Sequence, residues 1–108
     1  MWKDDERLLE LFNHVDEKGT FPCMCPSCNK KGGHVFLYRF DEEDSVGSGW
    51  AWCSLCKGYS HVTYKIPGWW ENMESIDEDR LETEPDYLDS ISTEIDKHLT
   101  GMLNRNNR

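Results

Sequence analysis

The sequence predicts an α+β fold: a small three-stranded antiparallel sheet flanked by an N-terminal and a C-terminal amphipathic helix. Three observations predict it. Apolar residues recur at helical spacing near both ends of the chain, three central segments alternate with the period of a strand, and two Cys-x-x-Cys pairs punctuate those segments. Only about 19% of the 108 residues are Leu, Ile, Val or Phe, and the formal charge is −9. That composition borders on that of disordered chains. Five Trp and four Tyr pull it back, because aromatic rings bury large areas per residue. Five cysteines offer a second remedy, since a bound metal supplies folding energy that a thin core cannot. The length is that of one domain, 1–108.

Residues 1–19 read as the first helix. Leu8, Leu11, Phe12 and Val15 fall on one face with Leu9 beside them, acids lead the segment as the helix dipole prefers, and Gly19 follows Lys18 as a stop. The next segment, 20–66, holds the cysteines. Cys25-Pro26-Ser27-Cys28 and Cys53-Ser54-Leu55-Cys56 form two Cys-x-x-Cys turns with 24 residues between them. Each such turn folds two thiolates to the same side, and two turns complete a tetrahedron around zinc. Cys25, Cys28, Cys53 and Cys56 are therefore the candidate ligands of one structural Zn²⁺. Disulfides would need an oxidising compartment and would leave one cysteine over. A redox Cys-x-x-Cys would need one pair near a βαβ pattern, which is missing. Iron in a rubredoxin-type site uses the same spacing. Cys23 shares a face with Cys25 on an extended segment, so it either substitutes as a ligand or packs as a small apolar group; packing is the expectation. His61, five residues past Cys56, is expected to be a strand residue.

Between the turns, residues 34–40 read as a strand with Phe36, Tyr38 and Phe40 on one face and Val35 and Leu37 on the other. An acidic loop, Asp41-Glu42-Glu43-Asp44, leads to a second strand, Gly49-Trp50-Ala51-Trp52-Cys53, with both Trp on one face. Residues 59–66 form the third, ended by Pro67-Gly68. Gly32, Gly33 and Gly58 are expected to supply the positive φ that closes the cysteine turns.

Knuckle, strand, loop, strand, knuckle, strand resembles the zinc-ribbon fold group over residues 20–66. The resemblance rests on Cys25, Cys28, Cys53 and Cys56 and the flanking glycines. It implies a structural metal and a three-stranded antiparallel sheet, and no single function. Nucleic-acid-binding ribbons carry basic strands; here only Arg39 and Lys65 are basic.

Residues 67–82 form an aromatic and acidic connector containing Trp69, Trp70, Asp77, Glu78 and Asp79, the candidate partner-binding residues. One of the two Trp is expected inside and the other open. The last helix spans 83–103: Thr83 caps, Pro85 enters the first turn, Asp86 completes a capping-box-like pattern, and Leu88, Ile91, Ile95, Leu99 and Met102 form the apolar stripe. Residues 104–108 are expected to fray.

Function is bounded by charge and by what is missing. Twelve Lys and Arg against 21 Asp and Glu oppose direct nucleic-acid binding. A divalent ion on four thiolates would add two further negative charges. No run of about 18 apolar residues spans a membrane. The start, Met1-Trp2-Lys3-Asp4-Asp5-Glu6, lacks the apolar stretch of a secretory signal, so a cytoplasmic protein is expected. No Ser-His-Asp motif or P-loop appears, and a four-cysteine zinc site is closed to substrate, so no enzyme is expected. The expected function is binding of a basic protein partner through acidic and aromatic surface. In size and charge alone the chain is similar to small acidic bacterial immunity proteins, which implies a basic toxin as partner. The alternatives are a zinc-ribbon accessory factor of transcription or RNA machinery, and a rubredoxin-like iron or redox protein.

Overall fold

The computed structural model describes residues 2–17, 19–40, 45–73, 76–81 and 85–106, and within these the side chains of Glu78 and Asn106 are outside the description. Among the described residues the fold is mixed α+β, built on a four-stranded sheet of order β1-β4-β3-β2: β1 Lys3–Asp4, β2 Gly33–Arg39, β3 Val46–Cys53 and β4 Gly58–Lys65. The expected three-stranded sheet is thus corrected to four. The added strand is two exposed residues running parallel to β4, with Lys3 opposite Gly58 and Asp4 opposite Tyr59. It is held through the backbone, the Lys3 amide donating to the Lys57 carbonyl at 2.8 Å and the Asp5 amide to Tyr59 at 2.9 Å. The other three strands are antiparallel neighbours, with Phe36 opposite Trp50 and Trp50 opposite His61.

The first helical segment begins as a 3-10 helix, Glu6–Glu10, capped by the Asp5 carboxylate, which accepts the Arg7 amide at 3.0 Å. It continues as α1, Leu11–Asp16. Leu8, Leu11, Phe12 and Val15 are all buried on one face of the sheet against Val35, Leu37 and Ala51. Gly49 permits this approach, since a Cβ there would meet the Phe12 ring at 3.0 Å. Gly19 donates to the His14 carbonyl at 2.7 Å just past the helix; Lys18 lies outside the described residues.

The opposite face carries Phe36, Trp50 and Trp52, covered by Met73, Leu81, Tyr87, Leu88 and Ile95. Strands β2 and β3 are therefore buried on both faces, whereas an antiparallel sheet commonly keeps one face in water. Phe40 falls past the end of β2 and is 62% exposed, so it does not share the buried face of Phe36.

The expected helix over 83–103 is corrected to two, α2 Asp86–Ser90 and α3 Ser92–Asn106. The break is at Ile91, at φ −115° and ψ 22°. Ser90 Oγ donates to the Tyr87 carbonyl at 2.6 Å, the kind of local bond that competes with helix continuation. Residues 104–106 are helical rather than frayed, and α3 runs through Gly101; Thr83, Glu84, Asn107 and Arg108 lie outside the described residues. Ile95 of α3 joins one core, while Leu99, Met102 and Leu103 join the other. No helix among the described residues is long and apolar enough to cross a membrane.

Candidate metal centre

The two Cys-x-x-Cys turns are built alike. In the first, the Asn29 amide donates to the Cys25 carbonyl at 2.9 Å; in the second, the Lys57 amide donates to the Cys53 carbonyl at 3.0 Å. The residue after each second cysteine turns the chain through positive φ, 59° at Asn29 and 64° at Lys57. No described glycine has positive φ, so the expectation that glycines close these turns is corrected. Asn tolerates that region best among non-glycine residues. The glycines permit close approach instead: a Cβ on Gly32 would meet Cys53 Sγ at 3.0 Å and Leu55 Cγ at 2.8 Å. The Ser54 amide donates to the Gly32 carbonyl at 2.9 Å, tying one turn to the other.

This geometry brings Cys25, Cys28, Cys53 and Cys56 together, with their sulfur atoms all within 4.8 Å of one another. Cys25 Sγ lies 3.8 Å from Cys56 Sγ, and Cys28 Sγ 3.7 Å from Cys53 Sγ. A tetrahedral ion with metal–sulfur bonds of about 2.3 Å requires edges of about 3.8 Å. Disulfide bonds of about 2.05 Å are excluded by the same distances. The Ser27 amide points at Cys25 Sγ at 3.3 Å and the Cys56 amide at Cys53 Sγ at 3.4 Å, donors suited to thiolates. The four residues are thus positioned to hold one metal ion.

The electrostatics agree. Burial pushes the Cys53 thiol up to about 12 and raises that of Cys25. Burial also opposes ionisation of Cys28, but the Lys30 amide and the adjacent thiols together bring it below its usual value. Four anions this close cannot coexist without a compensating cation, which inverts the local acid–base logic. The donor set is soft, and among the described residues no fifth His, Cys, Asp or Glu joins it. Among the described residues no other group of three or more His, Cys, Asp or Glu converges in this way.

Cys23 stands apart. Its Sγ lies 3.7 Å from the Gly33 carbonyl, and burial, with the nearby Asp96 charge, pushes its thiol up to about 12. The histidines are engaged elsewhere. His34 Nδ1 meets Asp96 Oδ1 at 3.0 Å, His61 stacks on Trp50 at 4.4 Å between centroids, and His98 Nε2 meets the Glu71 carbonyl at 2.6 Å.

The connector residues are distributed differently. Trp70 is 1% exposed within the core, so its ring presents no surface, while Trp69 is half-buried and tilted against it. Asp77 and Asp79 are exposed, Asp77 just before and Asp79 within a short 3-10 turn, Glu78–Arg80. The Asp77 amide donates to Tyr87 Oη at 2.8 Å, and its carboxylate accepts the Asp79 amide at 3.1 Å. The side chain of Glu78 lies outside the described residues.

One set of residues at the site is silent in the sequence. Asp89 of α2 accepts hydrogen bonds from Trp52 Nε1 at 3.2 Å and from Ser54 Oγ, and its other oxygen meets Lys57 Nζ at 3.4 Å. Lys57 also lies over the Trp2 ring at 4.7 Å, and Trp2 Nε1 donates to Asp86. The second cysteine turn is therefore clamped to α2 and to the N-terminal segment. These partners are 32 to 84 residues apart in the chain, so no local pattern announces them.

Comparison of the chain with protein-family models, curated proteins and solved structures finds no match.

Proposed function

We propose that this protein is a zinc-ribbon binding module, not an enzyme, that uses one structural zinc to hold an acidic surface against a cationic protein partner. The observation that carries the metal half is the sulfur tetrahedron of Cys25, Cys28, Cys53 and Cys56, whose edges of 3.7 and 3.8 Å suit zinc. With four thiolates as ligands, zinc keeps no open position for water or substrate, which supports a structural role. None of the five cysteines is in a disulfide, which suits a reducing, cytoplasmic setting.

The partner half rests on charge. The formal charge of −9 repels polyanions and attracts cationic surfaces over long range. Two of the basic groups on or beside the sheet are engaged within the fold, while Lys3 and Lys65 stand exposed on its strands. Arg39 Nη2 donates to the Pro67 carbonyl at 2.8 Å, and Lys57 is taken up by Asp89 and Trp2. These few scattered cations form no basic patch against 21 acids, which weighs against the nucleic-acid accessory reading. Small acidic immunity proteins are similar in size and charge, and a basic toxin is the sharpest form of such a partner.

The test is capture of the partner from the native host, followed by association kinetics of the purified pair at rising ionic strength. The reading expects a basic partner whose on-rate falls as salt screens the attraction. An acidic partner, or an on-rate indifferent to salt, contradicts it.

A further inference from the structure

β2 is the outer strand on one side of the sheet, and its free edge is closed at both ends. At Gly33 the N–H and C=O exchange bonds of 2.9 Å with Cys23. At Arg39 the Asn72 side chain stands in for a strand, accepting from the amide at 2.8 Å and donating to the carbonyl at 2.9 Å. Because Gly33 spends its N–H on Cys23, it faces Cys53 of β3 without donating to it. Antiparallel pairing alternates, so Val35 and Leu37 also turn their N–H and C=O away from β3, toward the same edge.

Among the described residues these groups have no hydrogen-bond partner. Bulk water does not reach them, since Val35 and Leu37 are both 0% exposed. α3 covers them. Its Ile95 enters the core on one face of the sheet and its Leu99 and Met102 the core on the other, so the helix wraps the β2 edge, with Asp96 tied to His34 at 3.0 Å. Trp70 Nε1, in the same core as Leu37 and Leu99, is a further buried donor with no partner among the described residues. A helix over an edge strand prevents stray pairing. This one gives the groups beneath it nothing to bond, and buried backbone groups are rarely left so. The complement of N–H and C=O groups on alternate residues is another extended chain. The cover is also jointed: α2 is anchored to the second cysteine turn through Asp89, and the helix breaks at Ile91, just before α3.

We propose that β2 is a strand acceptor: α3 swings out about Ile91, and an extended segment of the protein partner pairs antiparallel with Val35 and Leu37. With Gly33 and Arg39 already bonded, the slot takes about three residues. Because β2 is buried on both faces, the side chains of that segment are apolar on both. The inference rests on the cationic-partner reading, which puts positive charge on the residues flanking the segment.

The test has two arms, both on the zinc-loaded protein. In the first, amide hydrogen exchange is followed by NMR. Expected is an opening of α3 about tenfold or more as frequent as that of β3. The Val35 and Leu37 amides should exchange with α3, and those of His34, Phe36 and Tyr38, which face β3, with β3. Equal protection of α3 and β3 overturns the swing. Val35 and Leu37 exchanging faster than α3 shows water in the seam and overturns it too. In the second arm, acetyl-Lys-Thr-Val-Ile-Val-Thr-Lys-amide is titrated in. Expected is saturable binding with a Kd of about millimolar, since the peptide binds only the opened form. The largest amide shifts should fall at Val35 and Leu37, with loss of protection in α3. N-methylating both valine amides, which face the edge, should weaken binding about tenfold or more, whereas N-methylating the isoleucine amide, which faces away, should not. No saturable binding, or equal losses from the two methylation patterns, overturns the acceptor. If the acceptor fails while the captured partner still associates in a salt-dependent way, the partner binds elsewhere and the cationic-partner reading survives.

Discussion

Replacing Asp89 by alanine cuts the link between α2 and the second cysteine turn, and the cost follows from what it leaves behind. Trp52 is fully buried, and its indole N–H donates to Asp89 at 3.2 Å. Orphaning a buried donor costs about 1–3 kcal/mol. Loss of the Ser54 hydroxyl bond adds about 1 kcal/mol. The Lys57 pair adds little, about 0–1 kcal/mol, because the lysine side chain is 42% exposed and screened by solvent. Asp89→Ala should therefore destabilise the protein by about 2–5 kcal/mol, lowering the melting temperature by roughly 10–25 °C. Asp89→Asn retains the oxygen that accepts from Trp52 and Ser54 and should cost under about 1 kcal/mol. The assay is urea unfolding followed by tryptophan fluorescence at a fixed free-metal concentration, so that linkage to metal binding is held constant. A loss below about 0.5 kcal/mol in Asp89→Ala, or equal losses in the two variants, refutes the reasoning.

The remaining predictions concern the thiols and one tyrosine. Cys25, Cys28, Cys53 and Cys56 changed singly to serine should each lose the metal, while Cys23→Ser should keep it; elemental analysis of each variant decides. In the folded wild type, Cys23 should resist a thiol alkylator at mildly alkaline pH, because burial holds its thiol protonated up to about 12; mass spectrometry showing rapid labelling there contradicts this. Burial, with the hydrogen bond to Asp16, raises Tyr64 from 10.0 to about 12. A phenol raised in the folded state contributes stability that is intact below the unfolded value and lost between pH 10.0 and about 12. Tyr64→Phe should flatten that alkaline loss, and an absorbance titration placing Tyr64 at its ordinary value removes the basis for it.

Much of the site was legible because its signals are local. Cys25 and Cys28, and Cys53 and Cys56, announce themselves by spacing, since a turn of four residues converges two side chains wherever it occurs. Trp50 and Trp52 share a face because strand geometry has period two. Leu8, Leu11, Phe12 and Val15 share one because helical geometry puts them there. What escaped was whatever depends on backbone alone or on distant partners. β1 is two exposed residues, Lys3 and Asp4, with no apolar pattern, and only pairing to β4 makes it a strand. The break at Ile91 interrupts a stripe whose period continues across it, so the pattern could not show the break. Composition points to the glycines for positive φ, whereas Asn29 and Lys57 carry it. Asp89 looked like one acid among many; its role comes from Trp52, Ser54 and Lys57 arriving beside it from another part of the chain.

Metal content and identity decide whether Cys25, Cys28, Cys53 and Cys56 hold a structural zinc. Protein purified without added metal is assayed by elemental analysis, alongside its visible absorption spectrum and a count of thiols protected until a zinc chelator is added. A structural zinc gives a colourless protein with about one zinc per chain, four thiols released together on chelation, and collapse of the near-UV circular dichroism of the tryptophans once the ion is gone. A folded protein free of metal contradicts it, and a coloured one containing iron replaces the structural zinc with a rubredoxin-like site.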